Sequence, residues 1–126
     1  MSQALRVYVV EDSPHLQDSL LVFLHAPGQV EIVGLADNEA EAVAASLANP
    51  VDVVIVDLNL REGSGIAVIE KLRRAQSNAQ PKIIVFTNQP FPEIKQRAMQ
   101  LGADYFFDKS ADAQSVRDTL QVLRVL

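Results

Sequence analysis

Cysteine and tryptophan are both absent from this 126-residue chain. Without cysteine no disulfide framework, thiolate nucleophile or thiolate zinc site can form, and a reducing cytoplasm is the expected location. Positive charge is sparse. Lys and Arg number 11 against 16 Asp and Glu, for a formal net charge of −5, and Arg73 and Arg74 are the one adjacent basic pair. That balance argues against a phosphate-backbone footprint, so no direct nucleic-acid binding is expected. No apolar run approaches the ~20 residues needed to span a bilayer. The opening MSQALRVYVVED lacks a basic n-region, a long apolar stretch and a small-residue cleavage site, and does not read as a signal peptide. Internal repeats, low-complexity tracts and a second-domain linker are also missing. Residues 1–126 are therefore expected to form one domain, of a size that buries a single core without staples.

What the chain does contain is organised around Val51–Leu60, VDVVIVDLNL. A β-branched run of this kind, nearly continuous and ending on Asp57, has the pattern of a parallel strand buried on both faces. Other apolar stretches also stop on reactive groups. Leu5–Val10 runs into Glu11 and Asp12, Lys82–Thr87 ends on its own hydroxyl, and Tyr105–Phe107 is followed by Asp108 and Lys109. Val30–Ala36 supplies a further strand.

Helical patterns alternate with these strands. Ser13 and Pro14 form an N-cap and first-turn proline for a helix with the stripe Leu16, Leu20, Phe23 and Leu24, closed by Pro27 and Gly28. Asn38 with Glu41 resembles a capping box and opens an alanine-rich helix that stops before Asn49 and Pro50. A third helix runs from Ser64 or Gly65 to Arg74 with Ile66, Ile69 and Leu72 inward, followed by the polar linker SNAQP. Pro90 and Pro92 bracket entry to a fourth helix, which ends near Leu101 and Gly102. The fifth carries Val116, Leu120 and Leu123 on one face, with Val122 and Leu126 widening it. Arg73 and Arg74 read as a solvated helix end, and His15 and His25 as surface residues.

Strict alternation of strand and helix implies a parallel sheet covered on both faces, an α/β doubly wound (βα)5 architecture with right-handed crossovers. In the flavodoxin-like order 2-1-3-4-5, ligands bind at the carboxyl edge between strands 1 and 3, where Glu11, Asp12 and Asp57 would converge. Like charges there repel by roughly 4 kcal/mol per pair at ~4 Å and an effective dielectric near 20. A cation must offset that, or the acids must splay apart. Oxygen-only ligands in an open site favour Mg²⁺, which keeps waters and commonly binds beside phosphate oxygens. Lys109 and Thr87 suit the holding of phosphoryl oxygens. A carboxylate can itself be the nucleophile, and Asp57, central in the set, is the expected acceptor.

Glu11-Asp12, Asp57, Thr87 and Lys109, in order along the chain and with Gly102-Ala103-Asp104-Tyr105 before the last strand, resemble the receiver domain of two-component response regulators. The resemblance covers essentially the whole chain. It implies a phosphorylation-dependent switch whose Asp57 accepts a phosphoryl group from a histidine kinase or phosphotransfer protein, with self-catalysed transfer and autodephosphorylation. It also implies Mg²⁺ held by Asp12, Asp57 and the backbone carbonyl of Asn59, with Glu11 acting through a water. Lys109 would contact the phosphoryl group, Thr87 would swing towards it, and Phe106 matches an aromatic switch position. The downstream protein target and the oligomeric state stay open.

Three positions depart from the family pattern. Ser110 replaces a proline that commonly follows the lysine with a cis bond, and a cis non-proline bond costs ~3 kcal/mol. Asn88 stands where a small residue is common, which would narrow access to the site. Arg61 replaces a frequent proline and is expected to alter only a turn.

Rival readings fit less well. A nucleotide or flavin module would want glycine and N–H donors after the first strand, where this chain has Glu11, Asp12, Ser13 and Pro14. A metal-dependent phosphatase with an aspartate nucleophile would carry D-x-D there and a cap insertion. A degenerate receiver serving only as a docking module is the remaining alternative, and the intact acid set argues against it.

Overall fold

Each helix starts where local chemistry supplies its first hydrogen bonds. In the computed structural model, which describes residues 4–75, 80–88 and 91–125, the Ser13 side chain accepts from the Leu16 N–H and Pro14 opens α1 (Pro14–Leu24). Asn38 caps α2 (Glu39–Ala48) by accepting from the Glu41 N–H, and Ser64 caps α3 (Gly65–Arg74) by accepting from the Ala67 N–H. These side chains satisfy donors that a helix N-terminus otherwise leaves unpaired. The remaining helices are α4 (Pro92–Leu101) and α5 (Ala113–Val125). α4 ends on Gly102, whose φ of +117° is a left-handed value that glycine adopts without a Cβ penalty.

The strands β1 (Leu5–Val10), β2 (Val30–Ala36), β3 (Val53–Val56), β4 (Lys82–Thr87) and β5 (Tyr105–Asp108) form one sheet in the order β2-β1-β3-β4-β5. Every pairing is parallel. The protein thus has the expected flavodoxin-like arrangement of five strands and five helices.

Side-chain alternation divides the core into two layers. Tyr8, Val10, Val54, Val56, Ile83 and Val85 pack with Ala42, Val68, Ile69, Leu72 and Ala98 of α2, α3 and α4. On the opposite face, Val7, Val9, Val53, Ile55, Ile84 and Phe86 meet Leu20, Leu24, Val116, Leu120 and Leu123 of α1 and α5. Both faces of β3 are consumed in this way, which is why it reads as an unbroken apolar run. All five strands present their carboxyl ends at the same edge, and that edge carries the candidate site.

Several sequence expectations need correction. β3 is Val53–Val56, shorter than Val51–Leu60. Before it, Asp52 is exposed and its carboxylate accepts from the Arg6 N–H at 2.8 Å; beyond it the chain turns as Gly65 N–H donates back to the Leu58 carbonyl. β5 extends one residue further, to Asp108. α1 ends at Leu24 with His25 as its C-cap, ahead of Pro27 and Gly28. Val68 joins Ile69 and Leu72 as a buried residue of α3, whereas Ile66 is only partly buried. Val122 does not widen the buried face of α5, since it is 52% exposed. Arg73 is not a solvated helix end: its guanidinium donates to the carbonyls of Gly102 and Pro81 and pairs with Asp104 at 2.9 Å. His15, His25 and Arg74 are exposed as expected. The expectations placed on Pro90, Leu126 and residues 77–79 of the SNAQP linker lie outside the described residues.

Candidate functional site

The carboxyl ends of β1 and β3 bring Glu11, Asp12 and Asp57 together, with one oxygen of each carboxylate within 4.8 Å of the others. Backbone pairing sets this convergence. Val10 and Val56 are register partners, and the Asp57 N–H donates to the Val10 carbonyl at 3.0 Å. Glu11 is 1% exposed and Asp57 7%, while Asp12 is half-buried and its carboxylate has no protein donor among the described residues.

Lys109 supplies a cation to two of the three acids. Its ammonium reaches Glu11 Oε1 and also Asp57 Oδ2, the latter at 2.8 Å, with the side chain only 8% exposed. One ammonium leaves the three carboxylates net negative. Asp57 Oδ1 takes a further hydrogen bond from the Asn59 N–H at 3.3 Å, and Glu11 Oε2 one from the Ser13 N–H at 3.1 Å. Burial pushes the Glu11 carboxyl above its usual range, against the lowering effect of Lys109 and the Ser13 N–H. Burial would lower Lys109, but hydrogen bonds to Asp57 and Glu11 outweigh it and its pKa is raised. Behind this pair an apolar cleft of about 330 Å³ opens between α1 and α5, walled by Leu16, Leu20, Phe23, Phe86 and Ala113.

The loop after β5 holds Lys109 by its backbone as well. The Lys109 N–H donates to the Thr87 carbonyl at 2.9 Å. Ser110 donates both its N–H and its hydroxyl to Asp108 Oδ1, at 2.9 and 2.8 Å. A proline has no N–H to give, so serine closes the turn differently, and no peptide bond among the described residues is cis. Asn88 is exposed.

Thr87 is fully buried at the end of β4, opposite Asp108 of β5. Phe106, the register partner of Val85, lies on the same sheet face and is partly buried against the α2–α4 core. Tyr105 and Phe107 face the other layer, where their rings stack at 6.2 Å.

Gly65 secures the approach of α3 to this edge. A Cβ there would lie 2.2 Å from the Asp57 carbonyl oxygen and 2.7 Å from Leu58 Cα, so only glycine lets the helix start this close to the acid. Arg61, expected merely to alter a turn, instead makes a two-pronged ion pair with Asp37, at 3.1 Å through Nε and 2.9 Å through Nη2. Neither that pair nor the direct Glu11–Lys109 contact was anticipated from sequence; the partners lie 24 and 98 residues apart.

A family model described as the response regulator receiver domain matches residues 7–121. A protein-glutamate methylesterase/protein-glutamine glutaminase of Agrobacterium fabrum is 40% identical over 74 residues, which is 59% of this chain and 21% of that protein. The chain thus spans about a fifth of that relative's length. Among solved structures, the signal receiver domain of the putative response regulator NarL from Mycobacterium tuberculosis aligns with a TM-score of 0.86 at 24% identity, over 98% of each chain. The response regulator domain of Thermotoga maritima CheB aligns with a TM-score of 0.85 at 20% identity, also over 98% of each chain. At that identity the structural likeness carries the fold, whereas the family model spans most of the sequence, and by that match the protein belongs to the receiver domain family of response regulators.

Proposed function

We propose that this receiver domain is a phosphorylation-dependent switch in which Asp57 accepts a phosphoryl group from a histidine kinase or a phosphotransfer protein. The observation that carries the reading is the convergence of Glu11, Asp12 and Asp57 at one sheet edge, two of them, Glu11 and Asp57, paired with the Lys109 ammonium. The set offers only oxygen donors and stays net negative, which fits a hard divalent cation. Asp12, Asp57 and the Asn59 carbonyl would hold Mg²⁺, with Glu11 acting through a water. When bound, Mg²⁺ would supply charge neutralisation for the transferred phosphoryl oxygens.

The residues of the chain divide the remaining work. An Asp57 carboxylate oxygen attacks phosphorus; the O–P bond forms as the donor's P–N bond breaks, and the freed electron pair stays on the imidazole nitrogen, which is then protonated. Lys109, already held beside Asp57, keeps a positive charge where the phosphoryl oxygens arrive. Thr87 supplies a hydroxyl donor. Hydrolysis of the acyl phosphate by water would reset the switch.

Intact mass after incubation with phosphoramidate tests this, with and without Mg²⁺, on the wild type and Asp57→Asn. One phosphoryl group is expected on the wild type with Mg²⁺ and none on the variant. Uptake by Asp57→Asn at an unchanged rate would remove Asp57 from the role. No uptake by the wild type under any condition would favour a docking module that works unphosphorylated.

A further inference from the structure

The loop that leaves β3 with Asp57 and Asn59 returns to α3 at Ser64, and it is fastened along its length to the connection between β2 and α2. Asn59 bridges Ser64 across the loop, and Glu62 bridges Asn38. The Glu39 N–H donates to the Glu62 carbonyl at 3.0 Å. Glu39 Oε1 accepts from the Ser64 N–H at 3.1 Å, and its Oε2 is held by the Lys71 ammonium. Arg61 grips Asp37 through two nitrogens.

We infer that Arg61 and Asp37 are positioning residues for the metal-holding loop: their ion pair fixes the segment carrying Asn59 against the β2–α2 connection. The inference rests on the functional reading above, in which the Asn59 carbonyl is a metal ligand. Exposed ion pairs usually contribute little, but two-pronged arginine–carboxylate pairs set within a network are the exception. The pairing replaces, by side-chain contact, the rigidity a proline would give this turn through its fixed φ.

Simple electrostatics and positioning predict opposite signs, which makes the idea testable. Arg61 follows Asp57 by four residues in the chain, and removing its cation would, by Coulomb's law alone, favour Mg²⁺ binding. Loss of the clamp would weaken it. Mg²⁺ titrations followed by amide NMR shifts should show Arg61→Ala binding weaker by roughly three- to tenfold, less than the 10–100-fold typical of ordered outer-shell partners because the pair is exposed. Asp37→Ala should show a similar loss, the double variant no more than either single one, and Arg61→Pro should recover affinity.

Hydrogen exchange on metal-free protein supplies a second readout. The Ser64 and Glu39 amides should exchange faster in Arg61→Ala and Asp37→Ala, while the β1 and β4 amides do not. Unchanged exchange, or Mg²⁺ binding in Arg61→Ala as tight as in the wild type, would overturn the inference. If the wild type binds no Mg²⁺ at all, the metal reading of the site fails and the positioning role with it, and the exchange comparison alone then decides whether the pair anchors the loop.

Discussion

Lys109 lies between two buried acids, and removing it leaves both without their cation. Breaking a buried pair from one side typically costs about 3–5 kcal/mol, because the remaining charge stays desolvated. Lys109→Ala should therefore lower metal-free stability by ~3 kcal/mol, with Mg²⁺ restoring part of the loss and binding at least as tightly as in the wild type. Urea unfolding with and without Mg²⁺ measures both; a variant as stable as the wild type without metal would mean the pair contributes little. The pH dependence has two arms. Glu11 is raised above 4.5, so the folded state holds its proton more tightly; its contribution is complete below pH 4.5 and is lost as pH rises through the folded value. Lys109 is raised above 10.5, so its contribution is complete below that value and is lost as pH rises beyond it. Unfolding free energies across pH should show the fall in stability with pH rising above 4.5 flattened in Glu11→Gln, and the alkaline loss missing in Lys109→Ala. Sequence made the acids legible, because strand ends are marked by where apolar runs stop and the parallel order then forces Glu11, Asp12 and Asp57 together. It did not reveal which cation answers them in the resting protein. The reach of Lys109 to Glu11 depends on a side-chain rotamer, and that leaves no trace in a pattern of residue types.

The start of α3 couples packing to the site. At Gly65 an added Cβ would meet the Asp57 carbonyl at 2.2 Å and the Leu58 backbone at 2.7 Å, atoms that cannot swing aside as a flexible side chain can. Gly65→Ala should destabilise the protein by roughly 1–3 kcal/mol, the usual range for overpacking, and weaken Mg²⁺ binding as the Asp57 backbone shifts. Denaturant melts together with Mg²⁺ titration would show this, and a fully neutral substitution would mean that α3 slides without disturbing the acid. Helix starts were easy to read, since Ser13, Asn38 and Ser64 act through local hydrogen bonds within three residues. Arg73 was misread because a basic residue in a last helical turn is adequately explained by the helix dipole. Its actual partners, Gly102, Pro81 and Asp104, lie in the connections before β4 and between α4 and β5. The bounds of β3 were overdrawn for a related reason: Leu58 and Leu60 are apolar, yet they belong to a turn that the return of α3 dictates.

For the molecule as a whole, the question is how a change at one sheet edge reaches a surface that a partner can read. Phosphorylation of Asp57 would add negative charge and acceptor oxygens, and so small a local change needs an element with two arrangements to amplify it. α4 is suited to that role. Ala98 is its one fully buried residue, and its N-cap, Phe91, provides no side-chain hydrogen bond and is 56% exposed. Its other end is fastened, since Arg73 donates to the Gly102 carbonyl at 2.9 Å. A helix fastened at its C-terminus, whose first turn meets the core through the partly buried Ile94, is expected to pivot about the fastened end. Thr87 and Phe106 lie on the sheet face that α4 covers, two register positions apart on neighbouring strands. A Thr87 hydroxyl drawn towards the phosphoryl group would vacate space that the Phe106 ring can enter, removing support from the α4 side. Amide NMR with Mg²⁺ and beryllofluoride should therefore show larger shifts at Ile94 and Lys95 than at Leu101, together with shifts along β5 and on α5. Phe106→Ala should take up the phosphoryl group at the wild-type rate yet lose the α4 response. Shifts confined to residues around Asp57, with β5 and α4 unmoved in the wild type, would exclude this route and leave the β3–α3 side as the output face.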